Sequence, residues 1–235
     1  MRIVAWNCQT GFHKKVEAFR SLRSDLAVIS ECSQKCALAI QSVDYRALWF
    51  GSNPRKGIAV ICRADWSIEA IQEPEQKWIV PIRVNTGSTE FILIAVWACR
   101  VGDSKLTQYI GQVHLAMTSH EEWFCNGPVV MAGDLNSNKI WDSERRTGNH
   151  SAVVKLLAQW GIVSGYHEYF GEAQGKESRA TCYLYRHESK PYHIDYIFIP
   201  KIWAARVTAV KVGEFASWSK HSDHSPVIVD IADNT

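Results

Sequence analysis

At 235 residues, with 46% hydrophobic and 21% charged residues and a formal net charge of +2, the chain can bury a substantial core and has the balance of an ordinary globular protein. That balance excludes a disordered chain, and no uninterrupted apolar run approaches the roughly 20 residues of a membrane span. A charge this near neutrality permits contact with phosphates without demanding it.

Arg2 to Trp6 runs straight into polar residues and reads as a first strand, too short for the apolar region of a signal peptide, so the expected location is the cytoplasm. Seven scattered cysteines without a Cys-x-x-Cys pair argue against a disulfide framework and a zinc knuckle, and reduced thiols are expected. A helix is predicted from about His13 to Leu22, with Val16 and Phe19 on its apolar side, then a buried strand from Leu26 to Ile29. These first two strands end on polar residues, Asn7 and Glu31. Tyr45 to Phe50 and Gly57 to Cys62 read as strands joined through a loop containing Pro54, and Ser67 to Ile71, Trp78 to Val84 and Glu90 to Val96 continue as a meander. Helical spacing returns from Thr107, a candidate N-cap, to about Phe124. Val129 to Met131 is a short apolar strand that stops at Gly133.

Beyond it, Asn138 to Gly148 reads as a polar loop, Ser151 to Trp160 as a helix with apolar residues at i, i+3, i+4 and i+7, and Gly171 to Glu177 as a surface loop. Thr181 to Tyr185, Tyr192 to Ile199, Arg206 to Val212 and Pro226 to Ile231 finish the chain as strands. No internal repeat or linker is visible, so one domain spanning residues 1–235 is expected.

The chemistry is concentrated at strand ends. In Gly133-Asp134-Leu-Asn136, a core-facing Leu135 would leave Asp134 and Asn136 projecting into solvent, one able to take a proton and the other to give and accept hydrogen bonds. The same four residues also describe an ordinary Asx-type turn. Asp195 lies in an apolar stretch, Tyr192 to Ile199, where a charge needs a partner such as a histidine or a metal. Asp223-His224, just before the last strand, offers both. With Asn7 and Glu31 these make an oxygen-rich, thiolate-free set that suits a hard cation such as Mg²⁺ or Mn²⁺. A zinc hydrolase using His187, His193, His221 and His224 competes with that reading, but no zinc-binding histidine spacing supports it.

Taken in order, Trp6-Asn7, Ser30-Glu31, Gly133-Asp134-Leu-Asn136, Ile194-Asp195-Tyr196 and Ser222-Asp223-His224-Ser-Pro226 resemble the endonuclease/exonuclease/phosphatase superfamily, which includes exonuclease III-like and DNase I-like enzymes. The resemblance implies an α+β fold: a four-layer αββα sandwich, two mostly antiparallel sheets packed face to face with outer helices. It implies that Glu31 binds Mg²⁺, with Asn7 and Asp223 completing the metal and phosphate site. Asp134 would activate water, Asn136 would orient the water or the phosphate, and His224 would contact the phosphate while Asp195 fixes its tautomer. Whether Asp134 or His224 takes the proton stays open. One departure stands out: at the end of Phe91 to Val96 many relatives place a His or Tyr that assists the leaving oxygen, and here the residue is Trp97, whose indole cannot deliver a proton. Tyr109 or metal-bound water would have to substitute.

For substrate, Trp97, Trp141 and Trp218 are candidate stacking surfaces for bases, with Arg145, Arg146 and Lys220 near them in sequence and Tyr109 a further substrate-contact candidate. Equally, ten tryptophans in this length fill a core and its edges. The expected activity is therefore a Mg²⁺-dependent nuclease acting on DNA or RNA. The alternatives are a phosphatase or phosphodiesterase acting on a small phosphorylated metabolite or lipid headgroup, and a non-catalytic binding module.

Overall fold

The computed structural model describes residues 1–72, 78–100, 104, 108–143, 146 and 148–233. In chain order its elements are β1 (Arg2–Asn7), α1 (Val16–Ser21), β2 (Leu26–Cys32), α2 (Gln34–Ala39), β3 (Tyr45–Asn53), β4 (Lys56–Arg63), β5 (Ser67–Ala70), β6 (Ile79–Asn85) and β7 (Glu90–Trp97). There follow α3 (Ile110–Ser119), α4 (Glu122–Cys125), β8 (Val129–Asp134), α5 (His150–Gln159), β9 (Ile162–Ser164), α6 (Gly165–Phe170), β10 (Cys182–Tyr183) and β11 (Pro191–Tyr192). The chain closes with β12 (Asp195–Pro200), α7 (Lys201–Ala204), β13 (Val207–Val212), α8 (Phe215–Trp218) and β14 (Val227–Ile231).

The strands form two six-stranded sheets, ordered β13-β14-β1-β2-β4-β3 and β5-β6-β7-β8-β12-β9, with β10 and β11 as a separate hairpin. Each sheet contains one parallel pair, β1 with β2 and β7 with β8, and is otherwise antiparallel. Alternation along each strand sends one set of side chains between the sheets and the other under the helices. Ile3, Ala5, Leu26 and Val28 meet Leu93, Ala95, Val130 and Ala132 in the central layer. Val4, Trp6, Ala27 and Ile29 face the other way, onto Phe19 of α1 and Ala37 of α2, while Val96, Val129 and Met131 pack on α3 and α5. Both faces are buried, which is why these strands read as unbroken apolar runs. Each buried Val, Ile or Leu contributes about 1.5–3 kcal/mol. This is the four-layer sandwich that the resemblance implies.

The topology also decides where the polar residues go. Strands β1, β2 and β8 deliver Asn7, Glu31 and Asp134 at their C-terminal ends. β12 runs antiparallel to β8 and β14 antiparallel to β1, so Asp195 at the start of β12 and His224 just before β14 reach the same edge.

Several local expectations need correction. The helix predicted over His13 to Leu22 breaks at Lys15, whose ammonium is drawn back to the Cys8 and Thr10 carbonyls, leaving a 3-10 turn at Phe12–Lys14 before α1. The long helix ending near Phe124 is two helices separated at His120, whose φ of −137° is not helical, and Thr107 lies outside the described residues. Tyr192 to Ile199 is not one strand: Asp195 begins β12 rather than interrupting it. The segment Gly171 to Glu177 is not simply a surface loop, because the Glu177 side chain is 4% exposed and accepts from the His167 ring at 3.0 Å and from Asn138 Nδ2 at 3.1 Å.

Candidate active site

Asp134 occupies the last position of β8, and the residue before it explains why. Gly133 has φ of 135°, and a Cβ there would stand 1.9 Å from the Val96 carbonyl oxygen, so only glycine lets β8 approach β7 this closely. Leu135 then turns into the core as expected, but the Asp134 carboxylate does not project into solvent: it is completely buried. Asn136, at φ 45°, curls back over it, its backbone N–H donating to Oδ1 at 2.8 Å and its Nδ2 to Oδ2 at 2.9 Å. The Asx-type turn and the candidate site are therefore the same structure. Asn136 positions Asp134, and its amide nitrogen is already engaged.

Asn7 joins the two sheets across this edge. Its Nδ2 donates to Asp134 Oδ2 at 2.9 Å and to Glu31 Oε1 at 3.3 Å, while its Oδ1 accepts from the Gln9 N–H. Glu31 sits in a bulge of β2 with φ of 59°, a left-handed conformation costing a non-glycine residue about 1 kcal/mol or more, which turns the carboxylate out of the strand. Its other oxygen, Oε2, lies 3.1 Å from Lys56 Nζ. Lys56, the first residue of β4, escaped the sequence reading because its distance along the chain gives no sign of this pairing.

On the other side, His224 Nδ1 donates to Asp195 Oδ2 at 2.8 Å. The pair is clamped from several directions. Thr181 Oγ1 accepts from the Ile194 and Asp195 N–H groups at 2.9 and 3.0 Å, Ser222 Oγ donates to the Asn7 carbonyl while accepting from the His224 N–H, and Trp6 Nε1 donates to the His224 carbonyl. The roles of Trp6, Ser222 and Thr181 follow from these bonds. The Asp223 side chain stays near this corner, accepting a 3.4 Å contact from Ser222 Oγ, and its backbone carbonyl accepts from Tyr183 of the β10–β11 hairpin.

Burial pushes the Asp134 carboxyl up to about 7, and the neighbouring Asp195 charge pushes the same way; His224 and the Asn7 amide oppose both. For His224 burial works against the charged ring, but the Asp195 carboxylate outweighs it and the imidazole stays protonated well above its usual range. A buried acid poised near neutrality beside a buried imidazolium is suited to taking a proton from water while the cation faces an anion.

Asp134, Asp195 and His224 each offer a ligand-type atom within 4.8 Å of the others. Asp195 and His224 are already bonded to each other, so the oxygens of Asp134 and Glu31, with Asn7 beside them, make the better hard-cation donor set. One buried oxygen, Asp195 Oδ1, has no hydrogen-bond partner, an atom that a cation or an ordered water would complete. The donors fit Mg²⁺ or Mn²⁺.

The expected stacking residues divide. Trp97 is only 4% exposed and meets Trp78 edge-on in the core, so its face is not offered to a base; Lys56 Nζ lies over it, 4.9 Å from the ring centre. Trp218 is half-buried and packed edge-on against Trp6 at 5.2 Å. Trp141 is exposed and leans on Tyr192 at 5.0 Å, and Tyr109 is exposed at the start of α3. Arg145 lies outside the described residues. Two residues that the sequence reading missed are Tyr185, strongly exposed at the tip of the β10–β11 hairpin, and Arg186 beside it, whose guanidinium donates to the Gln9 side chain next to the site.

The fold is shared with solved structures of nucleases and of a 3' phosphatase. No protein-family model matches the sequence, and no curated protein does. Among solved structures the chain is similar to a 3'-5' exonuclease from Neisseria meningitidis, at 20% identity and a TM-score of 0.73, covering 99% of this chain and 100% of that one. A 3' phosphatase from Neisseria bound to a product DNA hairpin matches at 20% identity and a TM-score of 0.72, with 99% and 100% covered. An AP endonuclease from Archaeoglobus fulgidus matches at 17% identity and a TM-score of 0.70, again with 99% and 100% covered.

Proposed function

We propose that this chain is a divalent-metal-dependent phosphoesterase, a nuclease that hydrolyses phosphodiester bonds of DNA or RNA. The observation that carries the reading is the meeting, at one sheet edge, of a buried acid poised near neutrality (Asp134), a second carboxylate (Glu31) linked to it through the Asn7 amide nitrogen, and a buried His224–Asp195 pair. Asp134 takes the proton of the attacking water. Asn136 holds Asp134 in place. His224, kept charged by Asp195, binds the phosphate oxygens, and Asp223 borders the phosphate's approach. Glu31, Asn7 and Asp134 would hold Mg²⁺ or Mn²⁺, which when bound supplies Lewis-acid stabilisation of charge developing on the phosphoryl oxygens.

Nucleic acid is favoured as substrate because Arg186 reaches Gln9 beside Asn7, with the exposed Tyr185 next to it in the chain, and the exposed Trp141 lies in the loop that follows Asn136. The names of the similar structures, exonuclease, AP endonuclease and 3' phosphatase bound to a DNA hairpin, support the same class and keep removal of a terminal phosphate as the second reading. A cytoplasmic location is part of the proposal; all seven cysteines are free, and no helix among the described residues is long and apolar enough to cross a membrane.

Labelled single- and double-stranded DNA and RNA, with and without a 3' phosphate, incubated with Mg²⁺ or Mn²⁺, test the proposal. Cleavage that disappears in Asp134→Asn and His224→Ala supports it. Full activity in either variant, or none on any substrate with the wild-type chain, rejects it.

A further inference from the structure

In-line displacement at phosphorus puts the entering and departing oxygens on opposite sides of the atom. A site that activates water at one end therefore needs a group at the other to receive the charge of the departing oxygen. At the Asp134 edge four side chains are linked contact by contact. Asp134 Oδ2 meets Asn7 Nδ2 at 2.9 Å, the same nitrogen meets Glu31 Oε1 at 3.3 Å, and Glu31 Oε2 meets Lys56 Nζ at 3.1 Å. Lys56 ends the chain of contacts that Asp134 begins.

The position of Lys56 is fixed from below. Its ammonium rests over the Trp97 ring at 4.9 Å, and Trp97 is the ladder partner of Asp134 across β7 and β8. Its neighbour Gly57 is held so closely that a Cβ would stand 2.3 Å from the Phe50 carbonyl oxygen, which pins the start of β4 against β3. The Lys56 side chain is nonetheless 40% exposed, so a bound phosphate ester can reach the ammonium. Trp97, at the strand end beside Asp134, has an indole that cannot deliver a proton to a departing oxygen. It can hold a cation that stabilises the same charge by hydrogen bonding.

We propose that Lys56 is a catalytic residue of this site, donating a hydrogen bond from its ammonium to the departing oxygen as the ester bond breaks. The inference rests on the phosphoesterase reading above. In the step, the water oxygen forms the new P–O bond and its proton passes to Asp134. The old P–O bond breaks with its electron pair remaining on the alcohol oxygen, which Lys56 holds. Solvent protonates that oxygen and Asp134 returns its proton to solvent, so one water is consumed and Lys56 stays an ammonium throughout.

The test compares leaving groups. An oligonucleotide phosphodiester releases an alkoxide, which needs stabilisation, whereas bis-p-nitrophenyl phosphate releases a nitrophenolate that carries its own charge. With Mg²⁺ present, Lys56→Met is expected to lower kcat on the oligonucleotide by about 10²–10³-fold, the usual effect of deleting one charge-stabilising donor, and to lower aryl ester turnover by a much smaller factor, with Lys56→Arg recovering part of the loss. Equal losses on both substrates overturn the assignment, as does no loss on either. If the wild-type chain turns over neither substrate, the phosphoesterase reading fails and this one with it; aryl ester turnover by the wild-type chain keeps the underlying reading standing whatever Lys56→Met shows.

Discussion

Asp134 and Asp195 face each other directly across the antiparallel ladder of β8 and β12, two carboxylates at adjacent strand ends with both side chains fully buried. Like charges opposed in a sheet and removed from water destabilise the fold unless something compensates. Here His224 provides the compensation, bonded to Asp195 and within reach of Asp134's field. The arrangement therefore sacrifices stability for chemistry, and the two should separate on substitution. At pH 8, Asp134→Asn should lower kcat by about 10²–10⁴-fold while raising stability to urea, because burial and the Asp195 charge raise the Asp134 pKa and so destabilise its ionised form in the fold. A variant less stable than wild type would show that Asp134 serves the fold first.

The Asp195–His224 bond makes a separate prediction. The carboxylate is what keeps the ring charged, so Asp195→Asn should let the His224 pKa fall towards or below its ordinary value, since burial then acts unopposed. The C–H resonances of His224, followed by NMR against pH, report this directly. A ring still charged at pH 8 in the variant would mean that the charge is held by something other than Asp195.

Much of this edge was legible in the sequence because its residues end apolar strands. Asn7, Glu31 and Asp134 each follow a run that has to be buried, and a polar residue there has nowhere to go but the sheet edge. Gly133, whose conformation no other residue tolerates, marks the turn. What the sequence did not show is what depends on partners far along the chain. Lys56 sits at a strand start with nothing nearby to mark it, yet meets Glu31 across two strands. Thr181 looks like any strand residue until its hydroxyl is seen capping two backbone N–H groups. Tryptophan exposure follows the same rule: Trp97 ends an apolar run and Trp141 lies in a polar loop, but whether either ring faces a substrate is decided by its packing, Trp97 against Trp78 in the core and Trp141 against Tyr192 at the rim.

The same distinction makes Trp141 a sharp probe of substrate. It is 50% exposed and leans on Tyr192, a platform of the kind on which unpaired bases stack. Trp141→Ala should weaken binding of single-stranded oligonucleotides by about 1–3 kcal/mol per stacked base and leave turnover of bis-p-nitrophenyl phosphate unchanged. Fluorescence titration measures the first and a colorimetric assay the second. Unaltered oligonucleotide affinity would remove Trp141 from the substrate surface.

Behind the site, His193 donates through Nδ1 to the Arg179 carbonyl and is packed among Tyr166 and Tyr196, and burial lowers its pKa to about 4. A depressed histidine favours the neutral form in the fold, so its support is intact above the unfolded value of about 6.5 and is lost as pH falls from there towards 4. At the lower limit the loss amounts to about 3 kcal/mol. Asp134 titrates in the opposite sense, its raised pKa adding stability as pH falls through 7, so the His193 contribution must be read as a difference between proteins. The stability advantage of wild type over His193→Phe, from urea melts, should shrink by about that amount between pH 7 and 4. A constant difference across this range would show that the ring is already charged in the fold or is not buried as described.

Metal binding should be visible without any assay of activity. A cation held by Glu31, Asn7 and Asp134 binds the folded chain and not the unfolded one, so it raises stability as RT ln(1 + [L]/Kd), about 2.7 kcal/mol at a hundredfold excess over Kd. Mg²⁺ or Mn²⁺ should therefore raise the melting temperature in a concentration-dependent way, and EDTA should reverse the effect. Asp134 carries a raised pKa and must shed its proton to serve as a donor, so the metal-induced shift should grow as pH rises through about 7. Glu31→Gln should abolish most of the shift while leaving the metal-free melting temperature close to that of wild type, because the ion pair it removes, with Lys56, is partly exposed and contributes little. A shift that survives in Glu31→Gln would place the cation elsewhere, with the Asp134, Asp195 and His224 group as the next position to examine.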